Sequence, residues 1–364
     1  MEALLKNITE YHEHSKHYPG AYADALPFLD WDNQPDPFRS WEGCSEIELP
    51  FSQKTDTPAL NLFQKSDTQE LNLETLGAFL ELSLGLTGKK EYQGASWWLR
   101  ANPSSGNLHP TEAHLILNLK QQQGLYHYQP KHHSLEVRAT GELGPIFSDA
   151  NIKEGFLLGL STIIVRESWK YGVRSFRYCQ LDTGHAIGCI AAVASLFGWE
   201  VKLLNLSSKT QTKLMGLDKV VWPKDEAEEA EVMLYIGPAS EVKEDVLNGL
   251  TDWDLQGTPG KIAKEHLPWQ PAQEASDLSQ FPENWKENLN VTESRKLIVS
   301  KQFTAEEILK KRRSGQGFDL KANISKEDFF QILNNLIPSK NHALLSHLNC
   351  EAQILLFVHS VIGL

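Results

Sequence analysis

Of 364 residues only four are cysteine and three methionine, and Cys44, Cys179, Cys189 and Cys350 stand far apart. None of their spacings matches paired zinc ligands, so reduced, buried thiols in a cytoplasmic protein are expected. Positive charge is also scarce. With 35 Lys+Arg against 47 Asp+Glu the formal net charge is −12, and no broad basic face exists to favour nucleic acid as a partner. No apolar run reaches membrane-spanning length, so no membrane association is expected. The polar stretch Met1–His17 lacks the features of a secretory signal. Its histidines, His12, His14 and His17, read as surface residues of a polar helix, and no metal site is expected.

What is present is ordinary for a globular protein: 41% hydrophobic and 23% charged residues, in a chain long enough for about two domains. Helical and strand-like patterns alternate, as in an α/β or α+β protein. Residues 1–18 read as a helix, and the Pro-, Asp- and Asn-rich stretch 19–70 as a surface wrap. Leu71–Leu86 has helical spacing. His114–Leu119, Gly124–Tyr128 and Val232–Ile236 read as strands, and helices are expected around Gly155–Leu160 and Gly184–Phe197. Residues 245–295, rich in Pro and Trp, read as an extended linker with little core of its own.

After that linker the pattern restarts. Leu71, Leu76, Phe79, Leu80 and Leu84 match Ile324, Phe329, Ile332, Leu333 and Ile337 at one constant offset. Ala113, Leu115, Leu117, Leu119, Gly124 and Leu125 match Ala352, Ile354, Leu356, Val358, Gly363 and Leu364 at a second. One offset over a helix and another over a strand indicate a tandem duplication. The units are then 1–244, the linker 245–295, and a partial second unit, 296–364. The second copy lacks the loop that joins helix to strand in the first, and it stops at Gly363-Leu364, so the chain reads either as a fragment or as a pared-down repeat.

Three clusters carry chemistry. In the first, Pro103-Ser104-Ser105-Gly106-Asn107 lies between Arg100 and His109 just before a strand. Such a loop presents short polar groups and backbone N–H to a closely approaching ligand, although the same residues also make ordinary turns. The second runs from Arg166 to Tyr178 and holds three arginines, Lys170, Tyr171 and Tyr178, followed by Asp182-Thr183-Gly184-His185. A lysine beside a tyrosine suits acid–base work, and a salt-bridged surface segment would look similar. The third, Lys310-Lys311-Arg312-Arg313-Ser314, ends an amphipathic helix. It suits a phosphate, or simply the helix dipole.

As a set, the PSSGNLHPTE loop, the WKYGVRSFRY segment with DTGH, and the RRS motif resemble the flavin-dependent nitroreductase superfamily, and within it the SagB-type dehydrogenase (thiazole/oxazole oxidase) branch. The N-terminal segments Tyr11–His17 and Asp30–Arg39 resemble the entry region of that branch. The resemblance implies an α+β fold, a nitroreductase-like α/β/α sandwich built as a tandem pseudo-dimer with a truncated second unit. It implies FMN held between the units. Pro103, Ser104, Ser105 and Asn107, with Arg100 and His109, would come from the first copy, and Arg312, Arg313 and Ser314 from the second. Lys170 and Tyr171 match a pair to which proton transfer is attributed. The first copy has no Arg-Arg-Ser of its own and the second has no Pro-Ser loop, so a single flavin site is expected.

The activity implied is FMN-dependent hydride transfer through flavin N5. It would be either azoline-to-azole oxidation of a peptide or reduction of a nitro or quinone compound by a nicotinamide donor, in a pseudo-dimer or a homodimer. The competing expectations are a flavin-less interaction or scaffold protein of a biosynthetic complex, or a truncated fragment of a longer oxidoreductase.

Overall fold

The computed structural model describes residues 5–283, 297–299, 303–315, 317, 319, 321–339 and 353–364. Helices are α1 (Ile8–His14), α2 (Leu73–Leu84), α3 (Gly144–Asp149), α4 (Ile164–Tyr171), α5 (Ser175–Leu196), α6 (Ser208–Leu214), α7 (Gln270–Leu278), α8 (Ala305–Lys311) and α9 (Lys326–Asn335). Strands are β1 (Trp41–Glu42), β2 (Glu46–Glu48), β3 (Leu86–Tyr92), β4 (Ala95–Arg100), β5 (Thr111–Asn118), β6 (Gln123–Gln129), β7 (Ser134–Thr140), β8 (Phe156–Thr162), β9 (Glu200–Leu203), β10 (Glu229–Gly237), β11 (Thr258–Pro259), β12 (Ile324–Ser325) and β13 (Val361–Ile362).

Seven strands form one antiparallel sheet in the order β2-β7-β6-β5-β8-β10-β9. Alternation along β5 divides its two faces. Leu115 and Leu117 join Leu158, Leu160 and Tyr126 under α2 and α5. Ile116 joins Leu125, Leu157, Met233 and Tyr235 under α3, α6 and residues 247–253. Helix α2 starts at a capping box in which Asn72 Oδ1 accepts from Thr75 N–H and Thr75 Oγ1 accepts from Asn72 N–H. It buries Leu76, Phe79 and Leu80. Small residues (Ala186, Ala191, Ala194) let α5 sit close against the sheet and α2. The result is an α+β sandwich. Among the described residues no helix is long and apolar enough to cross a membrane.

Several expectations need correcting. The helix expected around Gly155–Leu160 is instead the strand β8, Phe156–Thr162. Its run of Phe, Leu and Leu is buried on both faces, and periodicity cannot separate such a strand from a buried helix. The first helix is confined to Ile8–His14, with Asn7 as its cap, and residues 1–4 lie outside the described residues. The described part of the 245–295 stretch, residues 245–283, is no coreless linker: Leu247, Leu250, Trp253, Ile262, Ala272 and Ala275 are buried, and α7 lies within it; residues 284–295 lie outside the described residues. Nor does the 19–70 segment stay at the surface, because Arg39 and Trp41 are driven fully inside.

In the segment expected to be a second copy, the helix forms as α9. The strand matched to β5 does not: Leu355 and Phe357 are each 80% exposed, and no strand covers residues 353–360. Apolar alternation alone cannot make a strand without a neighbour to take its backbone hydrogen bonds. Helix α8 instead docks on residues 57–62 and on α2. Ala305 N–H donates to Thr57 O at 2.8 Å, and Lys310 Nζ lies 2.8 Å from Glu81 Oε1.

Beside the apolar core, one end of the second sheet face is charged. Glu112, His114, His127, Glu136, Arg138 and Ser161 lie there, covered by Arg39, Trp41, Glu226 and Glu228, all buried. Arg39 pairs with Glu226 (3.1 Å) and Glu228 (3.4 Å), and His114 Nε2 lies 2.8 Å from Glu228. His127 stands between Glu136 (2.7 Å) and Glu112 (3.1 Å). Burial opposes its charge, but the two carboxylates outweigh burial and raise it to about 9.

Candidate functional site

The loop between β4 and β5 is held in an unusual conformation. Gly106 (φ 61°), Asn107 (φ 61°) and His109 (φ 49°) all lie in the left-handed region, which non-glycine residues enter at a cost. Local hydrogen bonds fix it. Asn107 Nδ2 donates to Trp98 O (2.8 Å), His109 N–H to Ser104 Oγ (2.8 Å), and Arg166 Nη1 to His109 O (2.8 Å). Ser105 N–H and Oγ–H both donate to Asp182 at 2.9–3.0 Å, tying the loop to α5.

A cavity of about 670 Å³ opens over this loop, within the range of roughly 300–1,000 Å³ typical of small-molecule sites. Its wall includes Arg100, Pro103, Ser104, Gly106, Asn107 and His109 from the loop, Lys170 from the last turn of α4, and Arg312, Arg313 and Ser314 beyond α8. Nine of the eleven residues that the resemblance implies for the flavin site and for proton transfer thus line one cavity, including groups about 200 positions apart. Two do not line the cavity. Ser105 is turned inward onto Asp182, and Tyr171 lies behind Gly106: a Cβ on Gly106 would fall 2.8 Å from the Tyr171 hydroxyl and 3.1 Å from Lys170 Nζ.

Arg100 is buried and donates to Pro37 O and to Thr111 O (3.4 Å), so its guanidinium supports the loop from below. His109 is buried too. Burial, then the charges of Arg100 and Arg166, lower its pKa well below the usual histidine value and keep the ring neutral. Arg313 donates to the carbonyls of Lys310 (2.8 Å), Arg312 (2.7 Å) and Thr87 (3.1 Å), which anchors the basic segment on β3. Four buried polar atoms among the lining residues, Arg100 Nε, Asn102 Oδ1, His109 Nδ1 and Arg312 Nε, have no hydrogen-bond partner among the described residues.

Other functional-looking groups emerge only in three dimensions. Glu167 sits one turn before Lys170 and Tyr171 on α4, with no hydrogen-bond partner for either carboxylate oxygen among the described residues. Burial, then the charge of Asp182, push it well above the usual carboxylate range. Burial also raises the Tyr171 phenol. On the open side, Trp31, Gln34, Lys90, Ser96 and Trp97 line the cavity. The signal for the last three was present as a hairpin: Gln93-Gly94, both at positive φ, is a two-residue turn between β3 and β4.

No protein-family model matches the chain, and no curated protein matches it in sequence. Among solved structures, a protein described as a nitroreductase from Anabaena variabilis superposes with a TM-score of 0.68 at 22% identity, over 99% of this chain and 76% of that one. A protein described as a nitroreductase from Ralstonia eutropha has a TM-score of 0.40 at 18% identity, covering 60% of this chain and 97% of that one. The E. coli microcin synthetase McbBCD complex with truncated pro-MccB17 bound has a TM-score of 0.37 at 17% identity, covering 66% and 84%. Those two scores are too low to add to the assignment. The first carries it: this chain has a nitroreductase-like α+β fold.

Proposed function

We propose that the protein is an FMN-dependent oxidoreductase that transfers hydride between a small-molecule or peptide substrate and the flavin. One observation carries the reading: the Pro103–Asn107 loop, Lys170 and the Arg312–Ser314 segment, remote in sequence, line a single cavity large enough for a planar cofactor. The residues fit the group. Arg312, Arg313 and Ser314 supply the charge and donors a phosphate needs. Arg312 Nε and Asn102 Oδ1 are a buried donor and acceptor still unpaired, and such atoms are costly unless something bonds to them. FMN, when bound, supplies the hydride-accepting and hydride-donating centre.

The chain's own residues would do the rest. Ser104 and Asn107 present polar groups on a loop whose shape is fixed before anything binds, which avoids an ordering cost. Lys170 Nζ, at the cavity wall, is the group that exchanges a proton with the substrate, and the Tyr171 hydroxyl, kept protonated by burial, stands behind Gly106 next to it. Azoline oxidation and reduction of a nitro or quinone compound by a nicotinamide both need this pairing of hydride and proton.

The test is the visible absorption spectrum of the purified protein, followed by titration with FMN. A flavin spectrum on purification or after reconstitution is the expected result. Colourless protein that takes up no added FMN would overturn the reading and leave a scaffold role.

A further inference from the structure

The β3–β4 hairpin carries two lysine–tryptophan pairs in adjacent register, Lys89 opposite Trp98 and Lys90 opposite Trp97. Directly opposed residues share a face, and neighbouring pairs take opposite faces. The outer pair is closed on itself: Lys89 Nζ lies 5.6 Å from the Trp98 ring centroid and 3.0 Å from Glu91 Oε1. The inner pair faces the cavity together with Ala95 and Leu99. Among the described residues Lys90 has no ion pair and no hydrogen bond, and no aromatic ring lies under its ammonium group.

The cavity's charge makes this difference informative. Its described lining holds five basic side chains and no carboxylate, in a protein of net charge −12. Arg100 and Arg313 are engaged with backbone carbonyls, Arg312 belongs with the phosphate end, and Lys170 lies beside the loop. Lys90 is on a separate element. Beside it Trp97 (37% exposed) offers an indole, and Trp31 (65% exposed), held edge-on by Trp169 at 5.2 Å, offers another. A free cation beside a free aromatic face matches a ligand that is planar and anionic.

We propose that the substrate of this site is a planar, carboxylate-bearing compound, its ring against Trp97 and its carboxylate on Lys90. Calling that ligand the substrate rests on the flavin reading above; its chemistry rests on the hairpin, Trp31 and the charge of the cavity lining. The probes are 4-nitrobenzoate and its neutral counterpart, 4-nitrobenzyl alcohol, titrated calorimetrically onto the 364-residue chain as purified. The carboxylate should bind about tenfold more tightly, the effect of one charge-assisted hydrogen bond. Lys90→Ala and Lys90→Gln should both abolish that preference, and Lys89→Ala, on the outer face, should retain it. Trp97→Ala should weaken both probes. Equal affinity for the two probes, or a preference that survives both Lys90 variants, would overturn the proposal. A colourless protein with a Lys90-dependent preference would support it while removing the flavin reading. A flavin-bound protein without the preference would do the reverse.

Discussion

The buried network around His127 and the cavity beside it are both rich in arginine, yet their charges are arranged oppositely. In the network Arg39 has Glu226 and Glu228, and His127 has Glu112 and Glu136. In the cavity wall, cations from β3, β4, α4 and the segment beyond α8 share a lining that holds no described carboxylate. Buried charges persist only when they are paired, so the first set pairs its charges within the fold and contributes to the fold, although Arg39 Nε and His114 Nδ1 have no hydrogen-bond partner among the described residues. Charges at the edge of a cavity can stay unpaired, because water or a ligand serves them. The contrast predicts that variants of the network change stability and leave ligands alone, and that variants of the cavity do the opposite.

The largest effect should come from the cavity. Lys170→Ala is expected to lower turnover about 100- to 10,000-fold, the usual loss when a positioned proton-transfer group is removed, with the thermal midpoint nearly unchanged. Steady-state kinetics and thermal melts on the same samples decide it, and wild-type turnover in the variant would remove the role assigned to Lys170. The network counterpart is Arg39→Met. It strands Glu226 and Glu228 without their cation and should cost about 3–5 kcal/mol in denaturant unfolding, with FMN affinity retained in whatever protein folds.

Acidity sharpens the same comparison. His127 rises from 6.5 to about 9 on folding, so it holds its proton more tightly in the folded state. Its stabilisation is complete below pH 6.5 and is lost as pH climbs through about 9. Glu112 moves from 4.5 to about 2, because the Arg166 charge and the His127 hydrogen bond outweigh burial. Its stabilisation is complete above pH 4.5 and is lost as pH falls through about 2. Stability should therefore plateau between pH 4.5 and 6.5 as far as this pair is concerned. The alkaline decline, on the order of 3 kcal/mol, should flatten in His127→Gln. An unchanged alkaline limb in that variant would assign the titration elsewhere.

The two regions also differ in how far the sequence revealed them. The cavity residues stood out because Pro-Ser-Ser-Gly-Asn, Lys-Tyr and Arg-Arg-Ser are dense, local groupings of functional side chains, and the fold brought them together at one cavity. The network left no such trace. Glu112 and His114 alternate with Ala113 and Leu115, the pattern of a strand with one face in water. Only the return of residues 36–42 and 222–228 over that face buries them, and such long-range cover has no local signature. Arg39 was hidden likewise in a proline-rich stretch that reads as surface. The Lys90–Trp97 pair went unread because its meaning depends on register across the Gln93-Gly94 turn.

Arg312→Ala tests whether the cavity's cations act on a ligand. Removing the unpaired Nε with its guanidinium should weaken FMN binding by about 1.5–3 kcal/mol. Stability should change by no more than about 0.5 kcal/mol, because no described carboxylate loses a partner. Equal FMN affinity in wild type and variant would place the phosphate elsewhere.

The smallest effect expected is at Gly106, where the fold and the site meet. Alanine at φ 61° costs roughly 1–2 kcal/mol by itself, and its Cβ would fall 2.8 Å from the Tyr171 hydroxyl. Relief requires Tyr171 or Lys170 to move, since the loop is pinned by Asp182 on one side and Arg166 on the other. Gly106→Ala should therefore lose a little stability and also turnover, with FMN still bound. If it lost stability alone, the contact between the loop and the Lys170–Tyr171 pair would be packing without catalytic consequence. A loss in both would tie the strained loop to the proton-transfer pair, as neither the paired network nor the outer face of the hairpin can.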